Sequence, residues 1–145
     1  MLKDKIAVIT GANRGIGWAT VQKFAQHHAC VWACARRQTD AFEKNIKELS
    51  GKYATEIYPL YFDVSDTDAV KKAIKTIGDK QKCIDILVNN AGISVEQLFP
   101  MTAIKTIADC MHTNFMSQVQ LAQLVSRYMM RNKAGAIINV ASVAG

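Results

Sequence analysis

The sequence predicts an α/β protein, a doubly wound parallel sheet with helices on both faces in three αβα layers. Three observations lead there. Short apolar runs alternate strictly with segments of helical periodicity. Several of the runs are apolar at nearly every position rather than at every second one, as strands covered on both faces are. The glycine- and asparagine-rich stretches each follow such a run, at the carboxyl end of a strand, where open α/β sheets bind ligands.

In chain order, residues 6–9 (IAVI) form a first strand that ends on a glycine turn. Residues 16–28 have helical character, with Ile16, Ala19, Phe24 and Ala25 on the apolar side. A second strand covers 30–35, a helix 40–50 and a third strand 56–62. Pro59 cannot donate to a ladder, which makes that third strand an edge. The next helix, 66–79, has an acidic N-cap at Asp66 and an apolar stripe of Ala69, Val70, Ala73, Ile74 and Ile77. A fourth strand spans 84–89 and a fifth 136–140. Between them lies one long helix, 103–132, striped by Ile104, Ile107, Ala108, Met111, Phe115, Val119, Ala122 and Val125. That stripe suits either the protein's own core or an oligomer surface.

At 145 residues the chain is expected to be one domain, 1–145, long enough for a real core. Half of it is hydrophobic and about a fifth charged, an ordinary globular balance. No apolar run reaches the roughly 18 residues of a membrane span. The opening five residues lead into only four apolar ones, far short of a secretory h-region. The net charge of +6 comes from scattered residues, with no basic run longer than two, so no nucleic-acid partner is expected. A phosphate-rich cofactor or an acidic partner uses mild positive charge equally well. Cys30, Cys34, Cys83 and Cys110 show neither a CxxC pair nor metal spacing, and no metal site is expected. Cys30 and Cys34 sit about 13 Å apart along one strand, too far for a disulfide. Reduced thiols and a cytoplasmic location follow.

The glycine turn is TGANRGIG, residues 10–17. Gly11 permits a tight exit from the first strand, while Gly15 and Gly17 let backbone approach a pyrophosphate and let the helix pack closely. The loop lacks the Lys-Ser/Thr of a P-loop and the GxxGxxG spacing of sugar-nucleotide epimerases. After the second strand, where an acidic residue would accept a ribose 2′-hydroxyl, the chain has Arg36-Arg37, with Arg14 in the glycine loop. Converging guanidiniums pair well with a 2′-phosphate.

Taken with Asp63-Val64, the NNAG of residues 89–92, Thr113-Asn114 and the IINVASVAG of residues 137–145, TGANRGIG resembles the TGxxxGxG motif of the short-chain dehydrogenase/reductase family. The likeness spans the whole chain and is most similar to the 3-oxoacyl-acyl-carrier-protein reductase branch. It implies a Rossmann-like, NADP-binding domain. The resemblance implies that Gly11, Asn13, Arg14, Gly15, Ile16 and Gly17 hold the pyrophosphate side, with Arg36 and Arg37 at the 2′-phosphate. Asp63 is expected to accept a hydrogen bond from the adenine amino group, with Val64 flanking the ring. Asn90, Ala91 and Gly92 would line the adenosine side, whereas Asn89 ties strands together through its amide. Asn114 is implied to hold a relay water on its backbone carbonyl, and Ser142 to hydrogen-bond the substrate carbonyl.

The implied reaction is NADPH-dependent reduction of a ketone to the hydroxy compound, most simply a 3-oxoacyl thioester on an acidic acyl carrier. Sugars, steroids and small alcohols are alternative substrates, and a purely dinucleotide-binding module is an alternative role. A homodimer or homotetramer is expected of the parent protein. The family's proton donor, a Tyr-x-x-x-Lys pair beyond Ser142, has no counterpart: Tyr128 is followed by Met129, Met130, Arg131 and Asn132. The expectation is therefore the front half of a reductase, truncated after the fifth strand, incomplete at its C-terminus and inactive by itself. A bare sheet edge is expected where a sixth strand belongs, beside the fourth or the fifth.

Overall fold

The computed structural model describes residues 1–142; residues 143–145, the end of the IINVASVAG stretch, lie outside the described residues. Five parallel strands, β1 (Ile6–Thr10), β2 (Cys30–Ala35), β3 (Ile57–Tyr61), β4 (Ile86–Asn89) and β5 (Ala136–Asn139), form one sheet in the order β3-β2-β1-β4-β5. The helices are α1 (Gly15–Gln26), α2 (Asp40–Tyr53), α3 (Thr67–Gln81), α4 (Ile104–Met111) and α5 (Ser117–Asn132). The predicted doubly wound, three-layer architecture is the one observed, with element ends shifted by a few residues. β3 is an edge, as Pro59 requires. Among the described residues the other edge is β5, where Ile137 and Ile138 are 38% and 46% exposed. No helix is long and apolar enough to cross a membrane among the described residues, and all four cysteines are free.

Alternation along the buried strands sorts side chains onto two cores. Val8, Trp32 and Leu87 point to one face, against Val70, Ile74 and Ile77 of α3 and Leu121 and Val125 of α5. Ile9, Val31 and Val88 point to the other, against Val21 and Ala25 of α1 and Phe42, Ile46 and Leu49 of α2. β1, buried on all five residues, lies between β2 and β4. The chain winds outward from β1 in both directions, so the switch point lies between the carboxyl ends of β1 and β4.

Asp66 caps α3 as expected: its Oδ1 accepts from the backbone N–H groups of Asp68 and Ala69, both at 3.0 Å. The long helix departs from expectation. A π-helical turn, His112–Met116, separates α4 from α5. Each residue of an α-helix advances the face by about 100°, so one extra residue in a turn rotates everything after it. The buried face of α5 is Ser117, Leu121, Val125 and Met129. Of the predicted stripe, Val125 is buried, whereas Ile104, Met111, Phe115 and Val119 are exposed. The phase change accounts for Val119, which follows the π-turn; α4, which precedes it, has no buried residue at all.

That phase shift is testable by truncation. Leu121→Ala should cost about 2–5 kcal/mol in urea unfolding, while Val119→Ala should stay within about 0.5 kcal/mol. The reverse order would mean that the π-turn does not reset the face.

Candidate functional site

A cavity of about 590 Å³ opens at the switch point, within the ~300–1,000 Å³ typical of small-molecule sites. It brings together Gly11, Asn13, Arg14, Gly15 and Ile16 from the first loop, Arg36 and Arg37 after β2, Asp63 and Val64 after β3, and Asn90, Ala91 and Gly92 after β4. Gly17 alone of the predicted cofactor residues does not line it. Gly17 is buried, and a Cβ there would run into the Gly11 carbonyl and the Asn90 amide. Its role is close packing of α1 on the loop, the second of the two functions its position suggests. Gly11, at φ +64°, has the left-handed backbone that turns the chain out of β1.

The loop is held by a compact hydrogen-bond knot. The Thr10 hydroxyl donates to the Val88 carbonyl at 3.4 Å and accepts from the N–H groups of Asn90 and Ala91, both at 3.0 Å. The Asn90 amide donates to the carbonyls of Thr10 (3.1 Å) and Gly11 (3.2 Å), and Ala12 N–H donates to the Cys34 carbonyl at 2.9 Å. Asn90 therefore lines the cavity but spends its amide on the glycine loop. Asn89 ties strands as expected, its amide reaching Asn139 Oδ1 at 2.9 Å and the Gln118 carbonyl at 3.3 Å.

Helix α1 begins at Gly15, with Arg14 at the N-cap giving no side-chain cap. An uncapped first turn has N–H groups available to an anion, reinforced by the helix dipole. A Cβ at Gly15 would meet nothing within 4 Å, so the backbone faces open space there. Three guanidiniums, Arg14, Arg36 and Arg37, border the cavity, against one carboxylate, Asp63. Asp63 Oδ1 accepts from the Ser65 hydroxyl (2.6 Å) and N–H (2.9 Å). The Ser65 hydroxyl bond holds the Asp63 carboxyl below its ordinary range against partial burial, with the Ser65 N–H and the Arg36 charge adding to it. Asp63 is thus a carboxylate, an acceptor only.

Asn114 lies in the middle of the π-turn and does not line the cavity. Its amide clamps the backbone of Ile93, accepting from the N–H and donating to the carbonyl, both at 2.8 Å. Ser142 is exposed, three residues beyond β5 at the same end of the sheet. The structure brings both candidates to the sheet's carboxyl end, outside the cavity proper. Cavity residues without a role assigned from the sequence are Cys34, Ala35, Thr39, Phe62, Ile93 and Thr113. Burial pushes the Cys34 thiol up to about 12, so it is a neutral part of the wall. The β-strand register could have marked Cys34 and Ala35, since both precede Arg36 on a strand buried from Val31 to Ala35. Thr113 belongs to the Thr113-Asn114 motif but has no role of its own in the sequence reading; the π-turn carries it to the cavity.

The sequence profile of the short chain dehydrogenase family matches residues 5–145. The chain belongs to this family. Among characterised relatives, the 3-oxoacyl-acyl-carrier-protein reductase of Thermotoga maritima is 34% identical over 99% of this chain and 58% of its own length. The corresponding reductase of Vibrio harveyi is 37% identical over 99% of the chain and 57% of its own. A solved structure of L-sorbose reductase from Gluconobacter frateurii, complexed with NADPH and L-sorbose, superposes with a TM-score of 0.92 at 30% identity, covering 98% of this chain and 54% of that one. The chain thus spans little more than half the length of these short-chain dehydrogenase relatives.

Two measurements probe the site. Thr10→Val should leave the Asn90 and Ala91 N–H groups without their acceptor, at about 1–3 kcal/mol for each unsatisfied group. Thr10→Ser should restore most of it in chemical denaturation. Because the folded Asp63 is held below its unfolded range, its stabilisation is present above that range and lost as pH falls through the folded value. The stability deficit of Asp63→Asn at pH 7 should therefore shrink as pH falls below about 4. A deficit independent of pH would remove the charge from the account.

Proposed function

We propose that the cavity binds a nicotinamide dinucleotide carrying a 2′-phosphate, and that the protein to which these residues belong reduces a ketone. The observation that carries this reading is the cavity's charge: three guanidiniums and one carboxylate gathered beside an uncapped helix start opened by glycine. Such a group of cations repels itself unless an anion joins it. The residues fit the cofactor. Gly11, Asn13, Gly15 and Ile16 offer backbone to a pyrophosphate, Arg14, Arg36 and Arg37 offer charge to a 2′-phosphate, and Asp63 and Val64 offer an acceptor and an apolar wall to adenine. Gly17 supports this loop from beneath, and Asn90 braces it, with Ala91 and Gly92 beside it.

The bound dinucleotide supplies hydride. Around it, the Ser142 hydroxyl hydrogen-bonds the substrate carbonyl oxygen and orients it. The Asn114 clamp fixes the Gly92-Ile93 backbone, and its own carbonyl serves the proton relay. A Tyr-x-x-x-Lys pair, the proton donor that the family resemblance implies, has no counterpart in residues 1–145. A 3-oxoacyl thioester on an acidic carrier is the proposed substrate, supported by the identity to the two acyl-carrier-protein reductases and by the net charge of +6. A ketose is the second reading, supported by the likeness to L-sorbose reductase. Apolar side chains left exposed on α4 and the π-turn, among them Ile104, Met111 and Phe115, support a homodimer or homotetramer.

Titration of the protein with NADPH and NADH tests the reading. The wild type should favour NADPH. Arg36→Asp should erase that preference, weakening NADPH about 10- to 100-fold, the scale of a lost charge-assisted pair. Failure to bind either coenzyme, or tighter binding of NADH by the wild type, would overturn it.

A further inference from the structure

His112 has no place in the roles assigned above, yet it joins two parts of the site that are far apart in sequence. It stands in the π-turn beside Thr113, which lines the cavity, and two residues before Asn114. Its Nε2 lies 2.9 Å from the Ser65 carbonyl, 47 residues earlier. A carbonyl oxygen only accepts, so Nε2 carries the hydrogen and donates. Ser65 in turn gives both its hydroxyl and its N–H to Asp63 Oδ1. A continuous chain of hydrogen bonds thus runs from the π-turn through one serine to the only carboxylate bordering the cavity among the described residues.

We infer that His112 is a positioning residue for the adenine end of the cofactor cleft: by holding the Ser65 carbonyl it fixes the turn that engages one oxygen of Asp63 and so sets the direction in which the other accepts. The inference rests on the dinucleotide reading above. Its physical basis is the geometry of the 63–65 turn. With both Ser65 donors committed to Oδ1, the carboxylate plane is fixed only as firmly as Ser65 itself. Among the described residues His112 supplies the external tether of Ser65 in this chain of bonds. The same stretch of helix has a second tie to this region, Gln120 Nε2 donating to the Thr67 carbonyl at 2.9 Å. That bond lands beyond the Asp63–Ser65 pair, at the start of α3, so it anchors the helix without orienting the carboxylate. Gln120 is therefore the internal control.

The readout is discrimination between two coenzymes that differ at one position of the base. NADPH presents an exocyclic amino group to a carboxylate acceptor, whereas nicotinamide hypoxanthine dinucleotide phosphate, in its reduced form, presents a carbonyl. Dissociation constants for both are measured by fluorescence titration for the wild type, His112→Ala, His112→Gln, Ser65→Ala and Gln120→Ala, each first checked for a cooperative thermal transition. The wild type should prefer NADPH. His112→Ala should weaken NADPH about three- to tenfold, the scale of one hydrogen bond, with little change for the hypoxanthine analogue, so the preference falls. Ser65→Ala should do the same, His112→Gln should restore much of the preference because its amide also donates, and Gln120→Ala should leave it intact. An unchanged ratio in His112→Ala, or equal weakening of both coenzymes, would overturn the inference, and His112→Gln with Ser65→Ala decide it if His112→Ala fails to fold. A wild type that binds NADPH without distinguishing the two bases also overturns it. A wild type that binds neither coenzyme overturns the dinucleotide reading itself, a result seen before any variant is compared.

Discussion

The site depends on the hydroxyl of Thr10. At the switch point two parallel strands end side by side, and the chain must leave both without abandoning its backbone polar groups in a buried or half-buried position. One oxygen resolves much of this: it donates to the Val88 carbonyl and accepts from Asn90 and Ala91. The Asn90 amide then returns to the carbonyls of Thr10 and Gly11. Thr10 is 1% exposed and Asn90 and Ala91 are half-buried, so these groups find their partner in one another rather than in bulk water. Once the two strand ends are knotted together, Gly11 can turn outward and Gly17 can bring α1 against the loop. The start of that helix then has to face the cavity.

This order of dependence explains what was legible in the sequence. Strands buried on both faces read as apolar runs, because nothing polar is tolerated on either side; β1 and β2 were found nearly residue for residue. Pro59 marked its strand as an edge through a missing donor. The cavity lining followed from topology, since loops at the carboxyl ends of β1, β2, β3 and β4 converge wherever a sheet winds out from its middle. The division of labour inside the lining was not legible. Asn90 and Gly17 sit in the same motifs as residues that face the cavity, yet one braces a loop and the other packs a helix. Type and spacing are common to both roles, and only the direction of the side chain, or the space left by its absence, separates them.

The helix after β4 hid more, and for a different reason. Periodicity detects a face only while the period is constant, and a π-turn changes it within five residues that look like any others. Asn114 offered a hint through its weak helix propensity, but a polar residue on a helix is tolerated often enough that the hint does not fix a bulge. What the turn accomplishes becomes visible in its hydrogen bonds. Ser117 N–H bonds to the His112 carbonyl, five residues back, rather than to Thr113. The Thr113 carbonyl, deprived of that donor, is taken by the Ser117 hydroxyl. Ser117 is 2% exposed, so the substitute donor is supplied from the buried face of α5.

The extra residue therefore has two consequences that arise together. It turns the following helix so that Leu121, Val125 and Met129 reach the core, and it spreads the side chains of 112–114 toward three separate partners. His112 reaches the turn after β3, Thr113 the cavity wall and Asn114 the backbone after β4. In a regular α-helix successive side chains are about 100° apart, and at most one face in three meets the sheet's end. The wider π-turn relaxes that limit at a place where loops from two strands are held at once. A local loss of α-helical hydrogen bonding, made good by one buried serine, gives the cleft a wall anchored to both of its sides.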